Sequence, residues 1–303
     1  MIRKSYIQIL FIIAVMIVNI SLSYSYANEN LDTLNKISKS NTITLGFRES
    51  AFPFSYYDEK LQVVGYSYEL MLKIVDAVKV QLNRPNLKIE KIPVTLQNRI
   101  PNLINGNIDL ECGATVNTAE RRKKVDFSDS IFMTSIRLMT KVDSGINSFN
   151  DLPGKNIVTT KATTSETLLN KLNNLHTPKI SILLGNDHSE SFSLLENGRA
   201  DAFVMDDIML VSERSKAKNP ELWVIKGLPQ SNSVYGCIMR KKDTQLNKIV
   251  NNTLAKLMKS GEAEILYKKW FESSIPPKGV NLNFPLSEEM KALFKSPNNK
   301  SSE

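Results

Sequence analysis

Residues able to do covalent or metal chemistry are scarce in this chain of 303 residues. It holds two histidines, His176 and His188, and no pair at metal-ligand spacing accompanies them. Its two cysteines, Cys112 and Cys237, do not form a CxxC motif. A serine nucleophile elbow and a phosphate-cradling glycine loop are both lacking. What remains is charge and hydroxyls. Arg121 opens the run Arg121-Arg122-Lys123-Lys124 and falls in the first turn of a short helix begun by Thr118. A guanidinium placed there presents a two-pronged fork to a carboxylate, assisted by the amides of the helix start. Thr164, with Thr163 and Ser165 at another helix start, can cap that helix and also offer its hydroxyl to a ligand. Asp206 and Asp207 follow the apolar run Ala202–Met205. Metal and catalytic readings therefore fare badly, and nothing indicates a cofactor.

The elements that must position these groups alternate between strand and helix. Thr42–Gly46 reads as a strand, Tyr68–Val80 as a helix with Leu70, Ile74, Val75 and Val78 on one face, and Ile108–Glu111 as the next strand. Between them Thr95 can cap a short helix that stops at Asn105-Gly106. The second half repeats the grammar: strands at Asn156–Thr160, Ile180–Leu184 and Ala202–Met205, helices at Ser165–Leu172 and Ser189–Glu196. Such alternation predicts parallel sheets covered by helices. One stretch echoes another. Leu103-Ile104-Asn105-Gly106-Asn107-Ile108-Asp109 and Leu195-Glu196-Asn197-Gly198-Arg199-Ala200-Asp201 both read as a helix end, a left-handed Asn-Gly turn and entry into a strand. Two lobes of similar α/β build would produce that echo, and so would common punctuation. Between two such lobes, ligands sit in the cleft, at the carboxyl ends of strands.

Arg3 and Lys4 precede an apolar run from Ile7 to Ile20, and Ser25-Tyr26-Ala27 resembles a small-x-small cleavage site. Residues 1–27 are thus expected to be an export signal, an uncleaved anchor being the alternative. No cysteine lies near the cut to carry a lipid. In an oxidising compartment an even pair of cysteines suggests one disulfide, Cys112 to Cys237. A composition of 42% hydrophobic and 23% charged residues is globular and excludes a disordered or collagen-like chain. The formal charge is +8, but the lysines are scattered, which argues for a solvated basic face rather than a nucleic-acid partner.

Certain segments are specific enough to compare. Thr118-Ala119-Glu120-Arg121, Val125-Asp126-Phe127-Ser128, Asp151-Leu152-Pro153-Gly154-Lys155 and Gly198-Arg199-Ala200-Asp201-Ala202-Phe203 resemble motifs of bacterial extracellular solute-binding proteins for polar amino acids. Arg48-Glu49-Ser50, Pro53-Phe54-Ser55-Tyr56-Tyr57, Gln97-Asn98-Arg99-Ile100-Pro101, Tyr235-Gly236-Cys237 and the tail from Trp270-Phe271 through Pro276-Pro277 to Phe294 are similar to the branch of that family serving ABC importers of glutamate and aspartate. The resemblance covers essentially the whole chain after the leader. It implies an α/β fold of two lobes with two crossover strands at the hinge. Lobe one is expected over residues 28–138 and 238–303, lobe two with the hinge strands over 139–237. It further implies a periplasmic monomer that closes on glutamate or aspartate and docks on membrane permease subunits.

By the same resemblance Arg121 meets the ligand's α-carboxylate and Asp206 its α-ammonium, with Asp207 the neighbouring rival. Arg48 and Arg99, which alone would read as solvated surface arginines, become the pair that selects an acidic side chain. Thr164 and His188 are implied contacts, though a lone histidine is otherwise a packed or capping one. Leu96, Ala114 and Val116 stand where the family usually offers hydroxyls, so Ala114 and Val116 are expected in the pocket wall without hydrogen bonds to give. Two other functions use the same fold: a cleft enzyme of the cyclic-acid dehydratase kind, for which Asp206 and Lys161 would be the imaginable acid–base pair, and an amino-acid-sensing module. Nothing in the sequence requires either.

Overall fold

The computed structural model describes residues 32–175 and 177–302. The expected leader, residues 1–27, and His176 lie outside the described residues.

Among the described residues thirteen strands, β1 to β13, follow one another in chain order, and ten of them form two five-stranded sheets. In the first sheet β1 (Thr42–Phe47) lies between β5 (Lys88–Pro93) and β6 (Leu110–Glu111), followed by β13 (Ser233–Arg240) and β7 (Val125–Thr134). In the second, β9 (Asn156–Thr160) lies between β10 (Ser181–Gly185) and β11 (Ala202–Asp206), followed by β8 (Ile136–Lys141) and β12 (Trp223–Lys226). The short strands β2 (Ser50–Ala51), β3 (Ser55–Tyr57) and β4 (Val63–Val64) make a third, small sheet.

The expectation of parallel sheets is corrected by this pairing. β1 is parallel to β5 and β6, and β9 to β10 and β11, as strand–helix alternation demands. β13 and β8, however, pair antiparallel with their neighbours. These are the strands that enter each sheet directly from the other lobe, so no covering helix reverses the chain before them. The chain crosses at Ser135, between β7 and β8, and returns between β12 and β13. Ile136–Leu138 pair within the second sheet and Ser233–Gly236 within the first.

Helix Tyr66–Leu82 buries Leu70, Ile74, Val75 and Val78, the face set by its apolar spacing. The two echoing turns are also alike in space. Gly106 and Gly198 hold left-handed backbone with φ of 76° and 72°. Asp109 accepts the amide of Thr44 at 3.0 Å, and Asp201 accepts that of Asn156 at 2.8 Å. In each lobe the turn thus pins the start of one strand to its neighbour. Cys112 and Cys237 form a disulfide that spans 125 residues of sequence and ties the end of β6 to β13. In the chain-entropy account, a loop of that length is stabilised by about 4–5 kcal/mol relative to the open chain.

Candidate functional site

The carboxyl ends of the parallel strands of both sheets face one cavity. Past β1 comes Arg48; past β5 come Leu96 and Arg99; past β6 come Glu111 at its end, then Ala114 and Val116. Past β9 in the other sheet come Thr163 and Thr164, past β10 His188, and β11 ends in Asp206. This is where open α/β sheets place ligands. The cavity wall brings together Arg99, Ala114, Val116, Arg121, Thr164, His188 and Asp206. Arg48 is buried close by but is not part of that wall.

The arginines come from the first lobe. Arg99 is 1% exposed at the start of helix Arg99–Ile104, and its Nη1 donates to the Ala114 carbonyl at 3.3 Å. Arg121 sits in the short helix Ala119–Arg122, whose first turn is capped by the Thr118 hydroxyl accepting the Arg121 amide. Its guanidinium donates to the Val116 carbonyl at 2.9 Å and, across the cleft, to the Ala162 carbonyl at 3.0 Å. Two of five donors are thus spent and the rest remain for a carboxylate. Burial lowers the pKa of Arg121 to about 9 and that of Arg48 to about 10, each depressed further by Arg99. Burial lowers the Arg99 pKa as well, while Arg48 and Arg121 stay charged at neutral pH, in a site that favours an anion.

Glu111 is the residue that sequence reasoning missed. It is fully buried, and its Oε2 accepts the Thr115 hydroxyl at 2.9 Å. Its charge acts on Arg48, Arg99 and Arg121. Gly113 lets the backbone pass beside it: a Cβ there would stand 2.3 Å from Glu111 Oε1 and 3.1 Å from Arg48 Cγ. Nothing in the surrounding Leu110-Glu111-Cys112-Gly113 marks it off from an ordinary acid at the end of a strand.

The second lobe supplies the acid and the neutral groups. Asp206 is 2% exposed and accepts the Tyr235 hydroxyl at 2.5 Å, a bond between lobes. Burial pushes its pKa up to about 6, with the Tyr235 hydrogen bond working the other way and Asp207 adding to the rise. Asp207 is spent elsewhere: it accepts the Thr134 hydroxyl at 2.6 Å and the Ile208 amide at 2.7 Å. Between the two rivals, Asp206 is the one in the cavity wall. Tyr235 itself lines the cavity and is held by Phe54 and Phe132, whose ring centroids lie 5.3 and 5.8 Å away. His188 is buried, pairs with the Thr160 hydroxyl at 3.0 Å, and is kept neutral by burial and by Arg48. Of the adjacent threonines, Thr163 does the capping, donating to the Thr160 carbonyl and accepting the Glu166 amide. Thr164 Oγ1 has no partner among the described residues.

Three orphaned atoms therefore line one cavity: the donor Arg99 Nε, the hydroxyl Thr164 Oγ1 and the acceptor Asp206 Oδ1. Buried polar groups are costly unless paired, so such a set is matched to a ligand of complementary groups. Around it Leu96, Ala114, Val116, Met205 and Met209 contribute apolar surface.

Residues 43–273 match the model of the bacterial extracellular solute-binding proteins, family 3. The chain belongs to that family. A curated glutamate/aspartate import solute-binding protein of Escherichia coli is 52% identical over 268 residues, covering 88% of this chain and 89% of that protein. The Salmonella typhimurium protein of the same name is 49% identical, covering 95% and 96%. An L-glutamate/L-aspartate-binding protein of Pseudomonas aeruginosa is 49% identical, covering 91% and 92%. Among solved structures, an ancestral arginine-binding protein bound to arginine aligns with a TM-score of 0.68 at 30% identity, over 76% of this chain and 98% of that one. A mutant ArgBP from T. maritima aligns with a TM-score of 0.70 at 28% identity, over 79% and 99%. These neighbours are amino-acid-binding proteins, and the fold here is the two-lobed α/β fold they share.

Proposed function

We propose that this protein is an exported receptor that takes glutamate or aspartate between its lobes and presents it to the permease of an ABC importer. The observation that carries the reading is the set of unpartnered atoms on residues of one cavity wall, Arg99 Nε from the first lobe and Thr164 Oγ1 and Asp206 Oδ1 from the second. An α-amino acid with a second carboxylate offers an ammonium for Asp206 and carboxylates for Arg99 and Arg121. The names of the curated relatives point the same way.

Charge bookkeeping supports the acidic ligand. Arg48, Arg99 and Arg121 against Glu111 and Asp206 leave a net of +1 in the buried cluster. A ligand of net −1 neutralises it, whereas a neutral amide side chain leaves a buried guanidinium short of its partner. That shortfall costs several kcal/mol, roughly 3–5. The missing hydroxyls at Leu96, Ala114 and Val116 each forgo about 0.5–1.5 kcal/mol. The charge effect is larger for any single substitution, so acidic selectivity is expected with weakened affinity.

Closure would proceed about the two crossings beside β7–β8 and β12–β13, with lobe one built on the first sheet and lobe two on the second. A monomeric, periplasmic, non-catalytic receptor is the form that fits this reading. Calorimetric titration of ligand-stripped protein with each of the twenty amino acids tests it. Glutamate and aspartate should bind most tightly, with no turnover product. Tighter binding of glutamine or a basic amino acid would overturn the ligand assignment.

A further inference from the structure

Beside the ligand loop, and outside the cavity wall, lie the last described residues. Residues 298–302 carry no secondary structure beyond one isolated bridge, yet they make a dense set of hydrogen bonds to three parts of the first lobe. The Asn298 carbonyl accepts the Ser130 amide of β7 at 2.8 Å. The Ser302 hydroxyl accepts the Val234 amide, at the entry of the returning strand β13, at 2.9 Å. The Ser302 amide donates to the Asn117 carbonyl at 2.7 Å. Thr118 and Ser302 form a parallel bridge.

Asn117 is the pivot of this arrangement. It is fully buried, and its amide donates to the Val234 carbonyl at 2.8 Å, so its backbone is gripped by β13 on one side and by the tail on the other. Its side-chain Nδ2 donates to the Asn299 and Lys300 carbonyls at 3.2 and 3.5 Å. Its Oδ1 accepts Arg122 Nε at 2.7 Å, and Arg122 also reaches the Asn299 carbonyl. The residues on either side of Asn117 both support the ligand site. Val116 lines the cavity and its carbonyl receives Arg121, while the Thr118 hydroxyl caps the turn that carries Arg121. The loop pairs with β13 on one side, through the antiparallel bridge of Val116 with Tyr235 and the Asn117 amide, so its remaining buried amides and carbonyls need a second partner. Here the tail does that pairing.

We infer that residues 298–302 form a strap that positions the loop 116–121, and through it the Arg121 fork, with Asn117 as the positioning residue between them. The strap touches no ligand. It acts by holding the Asn117 peptide at a fixed distance from β13, so that Val116 and Thr118 present Arg121 in one geometry. This rests on the ligand site proposed above, and its test has a readout that does not depend on the ligand.

The test compares the full chain with a chain ending at Pro297 and with Asn117→Ala. Amide hydrogen exchange at residues 115–122 of the ligand-free protein should rise at least tenfold in both variants, while residues 156–206 of the second lobe exchange as before. Glutamate and aspartate should bind roughly tenfold more weakly, mostly through faster dissociation, well below the melting temperature of each variant. Ser302→Ala, which removes only the hydroxyl contact to Val234, should lie close to the full chain. Unchanged exchange at 115–122 in the shortened chain overturns the strap, and so does faster exchange with unchanged glutamate and aspartate affinity. If the full chain binds neither amino acid, the proposed ligand falls, while exchange at 115–122 still decides whether the tail holds the loop.

Discussion

The turns ending in Asp109 and Asp201 are the same device in two settings. Both acids accept a backbone amide of the neighbouring strand after a left-handed glycine. Asp109 is completely buried and also pairs with Arg240 at 3.1 Å and Lys36 at 2.9 Å, Arg240 arriving on the strand that returns from the other lobe. Asp201 is exposed and has no salt bridge among the described residues. The first lobe has thus turned a local pin into a lock between its two chain segments, and the disulfide lies in the same lobe. The second lobe is one continuous stretch and needs no such lock. The same asymmetry runs into the cleft. The locked lobe holds the guanidiniums, whose mutual repulsion requires a firm frame, and the other brings one acid, hydroxyls and a neutral imidazole.

Substitutions on either side sharpen that contrast. Arg121→Ala should reduce glutamate affinity by two to three orders of magnitude in calorimetry, since losing one member of a buried ion pair costs about 3–5 kcal/mol. Its melting temperature should change little. A loss below tenfold would take Arg121 out of the site. On the frame itself, Asp109→Ala should destabilise by about 3–5 kcal/mol, because it strands the guanidinium of Arg240. Asp201→Ala, its counterpart, should cost only about 0.5–1.5 kcal/mol in denaturant titration. Equal costs would erase the distinction between the lobes.

Asp206→Asn separates function from stability on the second lobe. The carboxyl is held near a pKa of about 6 by burial, above its unfolded value, so the folded state keeps the proton better than the unfolded one. Stability from this group is present below the unfolded pKa near 3.8 and is lost as pH rises through about 6. The amide should therefore stabilise ligand-free protein at pH 8 while weakening ammonium binding. In the unsubstituted protein, affinity for glutamate should fall as pH drops below about 6, where Asp206 gains a proton. A flat affinity between pH 5 and pH 8 would contradict this role. The smallest effect belongs to Val116→Thr, which should tighten glutamate binding by up to about tenfold if the new hydroxyl finds a partner.

Much of this was legible in the residues. Helical spacing gave Tyr66–Leu82 its buried face, and the two Asn-Gly turns, which common punctuation would also produce, do occupy equivalent places beside the two sheets. The pair of cysteines, in a chain expected to be exported, pointed to the bond that the structure contains. The roles proposed for Arg99, Arg121 and Asp206 are ones that only a resemblance could attach to them; the cavity wall brings the three residues together. What sequence could not disclose depends on partners far along the chain. Glu111 looks like any strand-end acid until Arg48 and Arg99 are folded around it. The antiparallel pairing of β8 and β13 follows from where each chain segment re-enters, not from its own pattern. Thr163 rather than Thr164 caps the helix because the chain bends to aim the Thr163 hydroxyl at the Thr160 carbonyl.

The bond between Cys112 and Cys237 encloses every residue from the ligand loop through the whole second lobe in one covalent ring. A single protease nick anywhere in that ring leaves two fragments that each keep one of the cysteines. They would migrate together on a non-reducing gel and part only when thiol is added. Both crossings of the hinge also spring from an anchored base, so severing one leaves the lobes tethered through the other.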